Sequence, residues 1–143
     1  PQQKELGVCL LDIGAGVTDM AIFEEGDLTH TAVFPVGSER ITNDLAIGLK
    51  TDVEFAEKIK KEFGSCLLRS GAQHKLANNG DSLIFSNKML VKIIEARVCE
   101  ILDLVRQEIK KFSPRGLLTA GVVLTGGGSK LPKIVDYWNF DRK

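Results

Sequence analysis

The fold is decided by residues 10–20, which read Leu10-Leu11-Asp12-Ile13-Gly14-Ala15-Gly16-Val17-Thr18-Asp19-Met20. An apolar strand ends at one carboxylate, a loop with two glycines follows, and a second strand opens with Thr18 and Asp19. Gly14 and Gly16 carry no Cβ, so the backbone N–H groups of the loop can approach an anion closely and form a concave donor surface. The stretch therefore predicts a hairpin that wraps a phosphate.

Two side chains of this hairpin indicate how a phosphate would be held. Asp12 cannot face phosphate oxygens without repulsion, so we expect it to act through a divalent cation or through the waters of that cation. Thr18 can add a hydroxyl donor. The alternative is an ordinary β-hairpin whose glycines only satisfy the geometry of the turn. The flanking carboxylates and Thr18 favour the phosphate site without deciding between the two.

Length and charge set the outer bounds. The 143 residues are the size of one domain, and 43% hydrophobic with 27% charged side chains predicts a globular unit with a buried core. Lys and Arg number 19, as do Asp and Glu, which argues against bulk electrostatic binding to nucleic acid or to an anionic membrane. No apolar run reaches the roughly 20 residues that span a bilayer, and no leader precedes Leu6. We therefore expect a protein of an aqueous compartment.

The cysteines and histidines predict no metal site. Cys9, Cys66 and Cys99 lack Cys-x-x-Cys spacing, so we expect buried, reduced thiols in a cytoplasmic protein rather than a disulfide or a metal centre. His30 and His74 stand far apart in polar contexts, and no second type of ligand clusters with either.

The order of the predicted elements is that of an α/β fold. The predicted strands are 6–12, 19–24, 28–36 and 121–125, with shorter ones at 66–69 and 82–85. The first three should be antiparallel neighbours. The apolar runs 8–11 and 20–23 predict that the first two strands are buried on both faces, and the fourth strand should also be buried. The predicted helices are 38–49, 52–63, 87–112 and 131–137. Turns are predicted at residues 25–27 and at Asn79-Gly80, and the apolar stripe of the long helix should lie on the sheet.

A second glycine loop, Gly126-Gly127-Gly128-Ser129, follows the fourth strand. Bare backbone before a helix can meet a flat ligand surface or a phosphate. The spacing matches neither a Walker loop nor the Gly-x-Gly-x-x-Gly dinucleotide motif. By itself the loop is equally typical of a flexible connection, and it gains weight only beside the first loop.

Together the two loops resemble those of the actin and sugar-kinase ATPase superfamily. Residues 12–19 resemble its second phosphate loop, and Val123-Leu124-Thr125-Gly126-Gly127-Gly128-Ser129-Lys130-Leu131-Pro132 resembles its adenosine loop. Further segments, spread over nearly the whole chain, resemble the FtsA family of bacterial cell-division proteins within that superfamily. They are residues 6–9, 28–31, 41–46, 56–60, 63–64, 94–97 and 100–101.

The resemblance implies an RNase-H-like (actin-like) subdomain formed by residues 1–49 and 86–143, with a small inserted α+β subdomain at 50–85. ATP would lie in the cleft between them, with Mg²⁺ held by Asp12 through water. The residues implied at the phosphates and the metal are Asp12, Gly14, Ala15, Gly16, Thr18 and Asp19. Those implied at the adenosine are Lys60, Lys61, Gly126, Gly127 and Gly128. For the two lysines the alternative is a solvated, charged helix face.

The same resemblance implies a scaffold rather than an enzyme. The family's first half supplies the first phosphate loop and, in hydrolytic members, the groups that position water, so ATP hydrolysis by this chain is not expected. The implied partners are the carboxy-terminal tail of the tubulin-like FtsZ and further copies in an actin-like filament, and no nucleic acid. The parent would be cytoplasmic and peripheral on the inner membrane at the division site, held there through a segment that this chain does not contain.

Two alternatives stay open beside the FtsA-like scaffold. One is a PilM-like scaffold for type IV pilus assembly, and the other is a chaperone-type or sugar-kinase-type ATPase. Residues 41–44 and 56–60 favour the FtsA family. A kinase would need a base from the other half of the fold, and a chaperone would need a peptide domain after the adenosine loop. The inserted segment is short for the family, and residues 136–140 do not resemble its continuation.

Overall fold

A computed structural model describes residues 1–68, 70–112 and 118–140, except for the side chain of Phe140. The elements along the chain are α1 (Gln2–Glu5), β1 (Val8–Ile13), β2 (Thr18–Glu24), β3 (Asp27–Phe34), α2 (Ser38–Leu49), α3 (Val53–Phe63), β4 (Gln73–Asn78), β5 (Asp81–Ser86), α4 (Asn87–Phe112), β6 (Val122–Thr125), a 3₁₀ helix (Gly127–Lys130) and α5 (Ile134–Phe140). They form two compact units. The first unit is Pro1–Ser38 with Glu100–Lys130, and the second is Glu39–Cys99 with Leu131–Lys143.

The first unit contains a four-stranded sheet in the order β3-β2-β1-β6. β1, β2 and β3 are antiparallel neighbours, as the sequence predicts, whereas β6 runs parallel to β1. Asp12, near the end of β1, is the register partner of Asp19 on β2 and of Thr125 on β6. Because β1 and β6 are parallel, the loops that follow them leave the sheet at the same edge.

The turn between β2 and β3 has the geometry that the sequence predicts. Glu25 has a φ of 52° and Gly26 a φ of 87°. Positive φ at both central residues is typical of the tight hairpin turns that match the twist of antiparallel strands. This turn sits at the opposite end of β2 from the Gly14–Val17 loop.

Burial of β1 and β6 differs from the prediction. Cys9 and Leu11 are fully buried on one face of β1, but Leu10 on the other face is 37% exposed. On β6, Val123 is 36% exposed rather than buried. Within the described residues β6 borders only β1, so it lies at the edge of the sheet. A continuous apolar run could not reveal that Leu10 and Val123 stay partly exposed.

The long helix α4 runs from Asn87 to Phe112, as predicted. In its last part, which belongs to the first unit, Ile101, Leu102 and Val105 are buried. The ring of Phe112 stacks on that of His30 in β3, with centroids 3.4 Å apart. In this unit the apolar residues of the helix are therefore buried, and the end of the helix contacts β3 through His30.

The second unit is built from α2, α3, the β4–β5 hairpin, the first part of α4 and α5. Arg97 of α4 donates two hydrogen bonds, of 2.8 and 3.1 Å, to the carboxylate of Asp44 on α2. Asp52 caps α3 by accepting a 2.8 Å hydrogen bond from the N–H of Phe55. The predicted bounds of α2 and α3 are confirmed. Among the described helices none is long and apolar enough to cross a bilayer.

The segment between α3 and α4 was predicted only in part. The hairpin turn is confirmed, since Asn79 and Gly80 have φ of 46° and 94° and join β4 to β5. The strand predicted at 66–69 is wrong for its first three residues, which are irregular, and Arg69 lies outside the described residues. The N–H of Cys66 donates instead to the carbonyl oxygen of Pro132 at 2.9 Å. That contact replaces a strand ladder while still burying the thiol.

The residues after the second glycine loop also depart from the prediction. A short 3₁₀ helix forms over Gly127–Lys130, and α5 begins at Ile134 rather than at residue 131. Lys133 has a φ of 68°, which an α-helix cannot contain. The glycines therefore do not open an α-helix. Tyr137 and Trp138 of α5 are buried.

Candidate functional site

The first predicted site is the loop between β1 and β2, Gly14 to Val17. The N–H of Gly14 donates to the carbonyl oxygen of Val17 at 2.9 Å and closes the hairpin. Ala15, Gly16 and Val17 are exposed. Within the described residues none of their three N–H groups donates to a protein acceptor. The loop therefore presents unpaired backbone donors on its surface, as an anion site of this kind requires.

Thr18 begins β2 but points inward. Its side chain is fully buried, and its hydroxyl donates a 2.7 Å hydrogen bond to the carbonyl oxygen of Val36. In this structure Thr18 ties the loop to the connection between β3 and α2. Its predicted contact with a phosphate remains a prediction, and it would require this hydrogen bond to be released.

The two carboxylates that flank the loop face each other across the strands. Asp12 and Asp19 are register partners, and both are exposed. Like charges directly opposite destabilise a strand pair, and a cation beside them would offset that repulsion. Among the residues described, no group of three or more His, Cys, Asp or Glu side chains is placed to hold a metal. Mg²⁺ usually takes one or two carboxylates and keeps several waters, so this pair fits it.

The second glycine loop packs on the end of β1. Gly126 has a φ of 82°, and a Cβ there would overlap the carboxylate of Asp12 and lie 2.6 Å from the carbonyl oxygen of Ile13. A Cβ at Gly128 would lie 2.9 Å from the Cβ of Ile13. Gly127 is exposed and has no atom within 4 Å of such a position. Gly126 and Gly128 therefore allow close packing, while Gly127 leaves bare backbone open to a ligand.

The first unit thus brings the two loops together, as their order in the sequence alone could not show. The shared contact is the end of β1, which carries Asp12 and meets Gly126 and Gly128. The sites predicted in this unit are Asp12, Gly14, Ala15, Gly16, Thr18, Asp19, Gly126, Gly127 and Gly128. Of these, Thr18 and Gly128 are buried and the others are at least partly accessible.

Lys60 and Lys61 belong to the second unit, where their side chains differ sharply. Lys60 is 11% exposed, pairs with Glu57 at 2.6 Å and donates a 2.7 Å hydrogen bond to the hydroxyl of Thr42. That hydroxyl in turn donates to Glu57. Lys61 is 72% exposed and lies 3.4 Å from the same carboxylate. Burial raises the pKa of Glu57, but the hydrogen bonds from Lys60 and Thr42 outweigh it and the pKa lies below its ordinary value.

The second unit also contains a polar cleft of about 390 Å³ between the start of α3 and the β4–β5 turn. It is lined by Asp52, Glu54, Phe55, Lys58, Ala77, Asn78 and Asn79. The N–H of Phe55 and the amide of Asn78 hydrogen-bond Asp52 and hold the pKa of its carboxyl below the ordinary value. Charges of both signs line the cleft, so it offers a partner a concave polar surface without selecting one sign of charge.

The cysteines take no part in these sites. Burial raises the pKa of the Cys9 and Cys66 thiols to about 12, and for Cys66 the charge of Glu95 adds to the effect. Both thiols therefore stay protonated at neutral pH, and neither is a nucleophile.

Three contributing residues were not predicted as site residues. Thr42 and Glu57 hold Lys60, and Gly37 approaches the first loop closely. The i,i+3 spacing of Glu57 and Lys60 on a helix could have indicated their ion pair. Nothing in the local sequence shows which loop Gly37 meets, because that contact joins segments more than 20 residues apart along the chain.

Comparison with known proteins gives a consistent family. The model described as "Cell division protein FtsA" matches residues 9–139. Proteins of that name from Pseudomonas aeruginosa and Neisseria meningitidis are 41% and 42% identical to this chain, and each match covers 94% of it. The matches cover 33% and 34% of the relatives, so the chain spans about a third of their length. The family match includes most of residues 136–140, which the sequence did not relate to the family.

A solved structure shows a similar fold at lower identity. MreB5 of Spiroplasma citri bound to ADP superimposes with a TM-score of 0.81 at 22% identity. The match covers 99% of this chain and 48% of the MreB5 chain. At this identity the likeness shows the fold alone, and that fold is the actin-like one that the sequence predicts.

The Gly126 position provides a test of close packing at the site. Gly126→Ala should lower the free energy of unfolding by at least about 1–2 kcal/mol, because an L-residue is strained at this φ and its Cβ overlaps Asp12. Gly127→Ala is the matched control and should change it by less than about 0.5 kcal/mol. Urea unfolding of both variants measures the difference. Equal stabilities would show that the loop does not pack on β1.

The Glu57 cluster predicts a pH effect on stability. Because the folded-state pKa of Glu57 is lowered, its contribution is present above the ordinary value of 4.5 and is lost as the pH falls through the lowered value. Glu57→Gln should therefore reduce stability at neutral pH, by about 0.5–1 kcal/mol, and make the loss of stability in acid shallower. The exposed Glu62→Gln is the control. Urea unfolding across the acid range is the measurement, and parallel curves for Glu57→Gln and the wild type would contradict it.

Proposed function

The chain belongs to the FtsA family of bacterial cell-division proteins and has an actin-like fold, and from this we propose that it is the ATP-binding half of an actin-like scaffold. In the intact protein the scaffold links the FtsZ division ring to the inner membrane. The proposal of nucleotide binding rests on one observation. Two glycine loops meet at the end of β1, and unpaired backbone amides lie there near exposed carboxylates.

Each part of the first unit has a role in the proposed site. The amides of Ala15, Gly16 and Val17 bind phosphate oxygens, for which backbone donors are suited. Asp12, with Asp19 beside it, holds Mg²⁺ through water, and bound Mg²⁺ neutralises phosphate charge. Gly127 offers open backbone to the adenosine. The structurally similar protein MreB5 supports this assignment, since it was crystallised with ADP.

The proposed subdomain boundaries stay those of the sequence resemblance, with 1–49 and 86–143 as the nucleotide-binding subdomain and 50–85 as the insertion. Lys60 and Lys61 are proposed to border the base and ribose. The ammonium of Lys60 is held by Glu57 and Thr42, whereas Lys61 is exposed and can reorient. Moving the side chain of Lys61 therefore breaks no buried contact, whereas moving that of Lys60 does.

The proposed role is a scaffold and not an enzyme. Membership of a family of cell-division proteins with an actin-like fold supports this role. The proposed partners are the FtsZ tail and further copies of the intact protein in a filament. The proposed place is the cytoplasmic face of the inner membrane at the division site. Family membership supports this reading over a PilM-like scaffold or a chaperone- or kinase-type ATPase.

Asp12 provides the test of nucleotide binding. In the intact protein, Asp12→Ala should weaken Mg-ATP binding about tenfold or more, because a charge-assisted contact to the hydrated metal is lost. Asp27→Ala removes an exposed carboxylate at the far end of the sheet and should leave binding unchanged. Calorimetric titration gives the affinities, and thermal unfolding checks that both variants are folded. An unchanged affinity for Mg-ATP in Asp12→Ala would show that Asp12 does not contribute to nucleotide binding.

The partner is tested with the isolated chain. We expect the 143-residue chain to bind a peptide of the FtsZ carboxy-terminal tail more tightly than it binds Mg-ATP. The resemblance implies that the chain contains the surface for this partner but only half of the nucleotide cleft. Calorimetric titration with the tail peptide, a scrambled peptide and Mg-ATP compares the three. Tight binding of Mg-ATP together with no heat from the tail peptide would contradict the partner assignment.

A further inference from the structure

The connection between β3 and α2 lies directly against the phosphate loop. The N–H of Ser38 donates to the carbonyl oxygen of Gly14 at 2.9 Å, and the buried hydroxyl of Thr18 donates to that of Val36 at 2.7 Å. Both ends of the loop are therefore tied to residues 36–38. Neither Val36 nor Ser38 belongs to the motif that identifies the loop.

Gly37 stands between these two hydrogen bonds and is buried. A Cβ at this position would overlap the carbonyl oxygen of Ala15 and lie 2.6 Å from that of Gly14. The obstructing atoms are backbone, so no side-chain rotation can make room. Gly37 does not have the positive φ of Gly126, and the requirement for glycine here is one of space.

This close approach fixes the direction in which the loop's amides point. The peptide bonds of the described residues are trans, so each carbonyl and the N–H of the next residue point in opposite directions. The carbonyl of Gly14 points to the N–H of Ser38, so the N–H of Ala15 points away from that residue. The carbonyl of Ala15 lies side-on against Gly37, so the peptide between Ala15 and Gly16 has no room to move toward residue 37.

We propose that Gly37 is a positioning residue for nucleotide binding, which sets the orientation of the Ala15 and Gly16 amides through close contact with the carbonyls behind them. This inference rests on the proposed function, since it concerns the same phosphate loop. A side chain at position 37 pushes both carbonyls outward and rotates the two peptide planes. The amides then no longer converge on one phosphate, although every residue of the recognised motif is still present.

Gly37→Ala in the intact protein tests this role. Mg-ATP binding should weaken about tenfold or more, because one or two charge-assisted hydrogen bonds are misdirected. Gly71→Ala is the matched control, since Gly71 is exposed and a Cβ there meets no atom within 4 Å. The amide resonances of Ala15 and Gly16 should shift in Gly37→Ala and stay in place in Gly71→Ala. A folded Gly37→Ala protein with native affinity and unshifted loop resonances would overturn the proposal.

A second pair of variants decides the matter if Gly37→Ala does not fold. Thr18→Val keeps the shape of the side chain but removes its hydrogen bond to Val36, whereas Thr18→Ser retains a hydroxyl. Thr18 is itself a predicted phosphate residue, so the readout is taken without nucleotide. Shifted amide resonances of Ala15 and Gly16 in Thr18→Val with recovery in Thr18→Ser support positioning by residues 36–38, and native resonances in both variants overturn it. If the wild-type protein binds no Mg-ATP, the proposed function fails. The positioning of the loop is then decided by whether amide exchange at Ala15 and Gly16 changes in Thr18→Val.

Discussion

The lack of space for side chains at the end of β1 is the constraint on which the site depends. Gly126 and Gly128, which follow β6, lie against Asp12 and Ile13, and Gly37 lies against the carbonyls of Gly14 and Ala15. Protein interiors are close-packed, so a single added methyl group at such a contact must displace backbone. Two loops about 110 residues apart in the chain are thereby packed at the same end of β1.

Much of the fold could be predicted because it depends on local sequence patterns. The turns at Glu25-Gly26 and Asn79-Gly80 form as expected, and Asn-Gly is among the few residue pairs that readily accept two positive φ angles. The bounds of α2, α3 and α4 follow from apolar spacing and capping. The family was also predictable, because the segments between the two loops distinguish FtsA from other proteins with similar loops, and the comparisons confirm it.

What could not be predicted depends on tertiary neighbours. The apolar run of β1 gave no sign that Leu10 would stay exposed, because burial of that face depends on what covers the sheet. The short apolar piece at Cys66 resembles a strand, yet its N–H is taken by Pro132 from a distant part of the chain. The same limit applies to the site. Its residue types were predicted, whereas the inward turn of Thr18 and the contacts of Lys60 required the structure.

The close contact at Gly37 offers a criterion for interpreting related sequences. Consider a relative that keeps both carboxylates, the loop glycines and the threonine but carries a side chain at the position of Gly37. Its motif is intact, yet the backbone behind its loop cannot adopt the arrangement seen here. The motif alone is therefore not a sufficient description of this loop, because its geometry also depends on a residue more than 20 positions further along the chain.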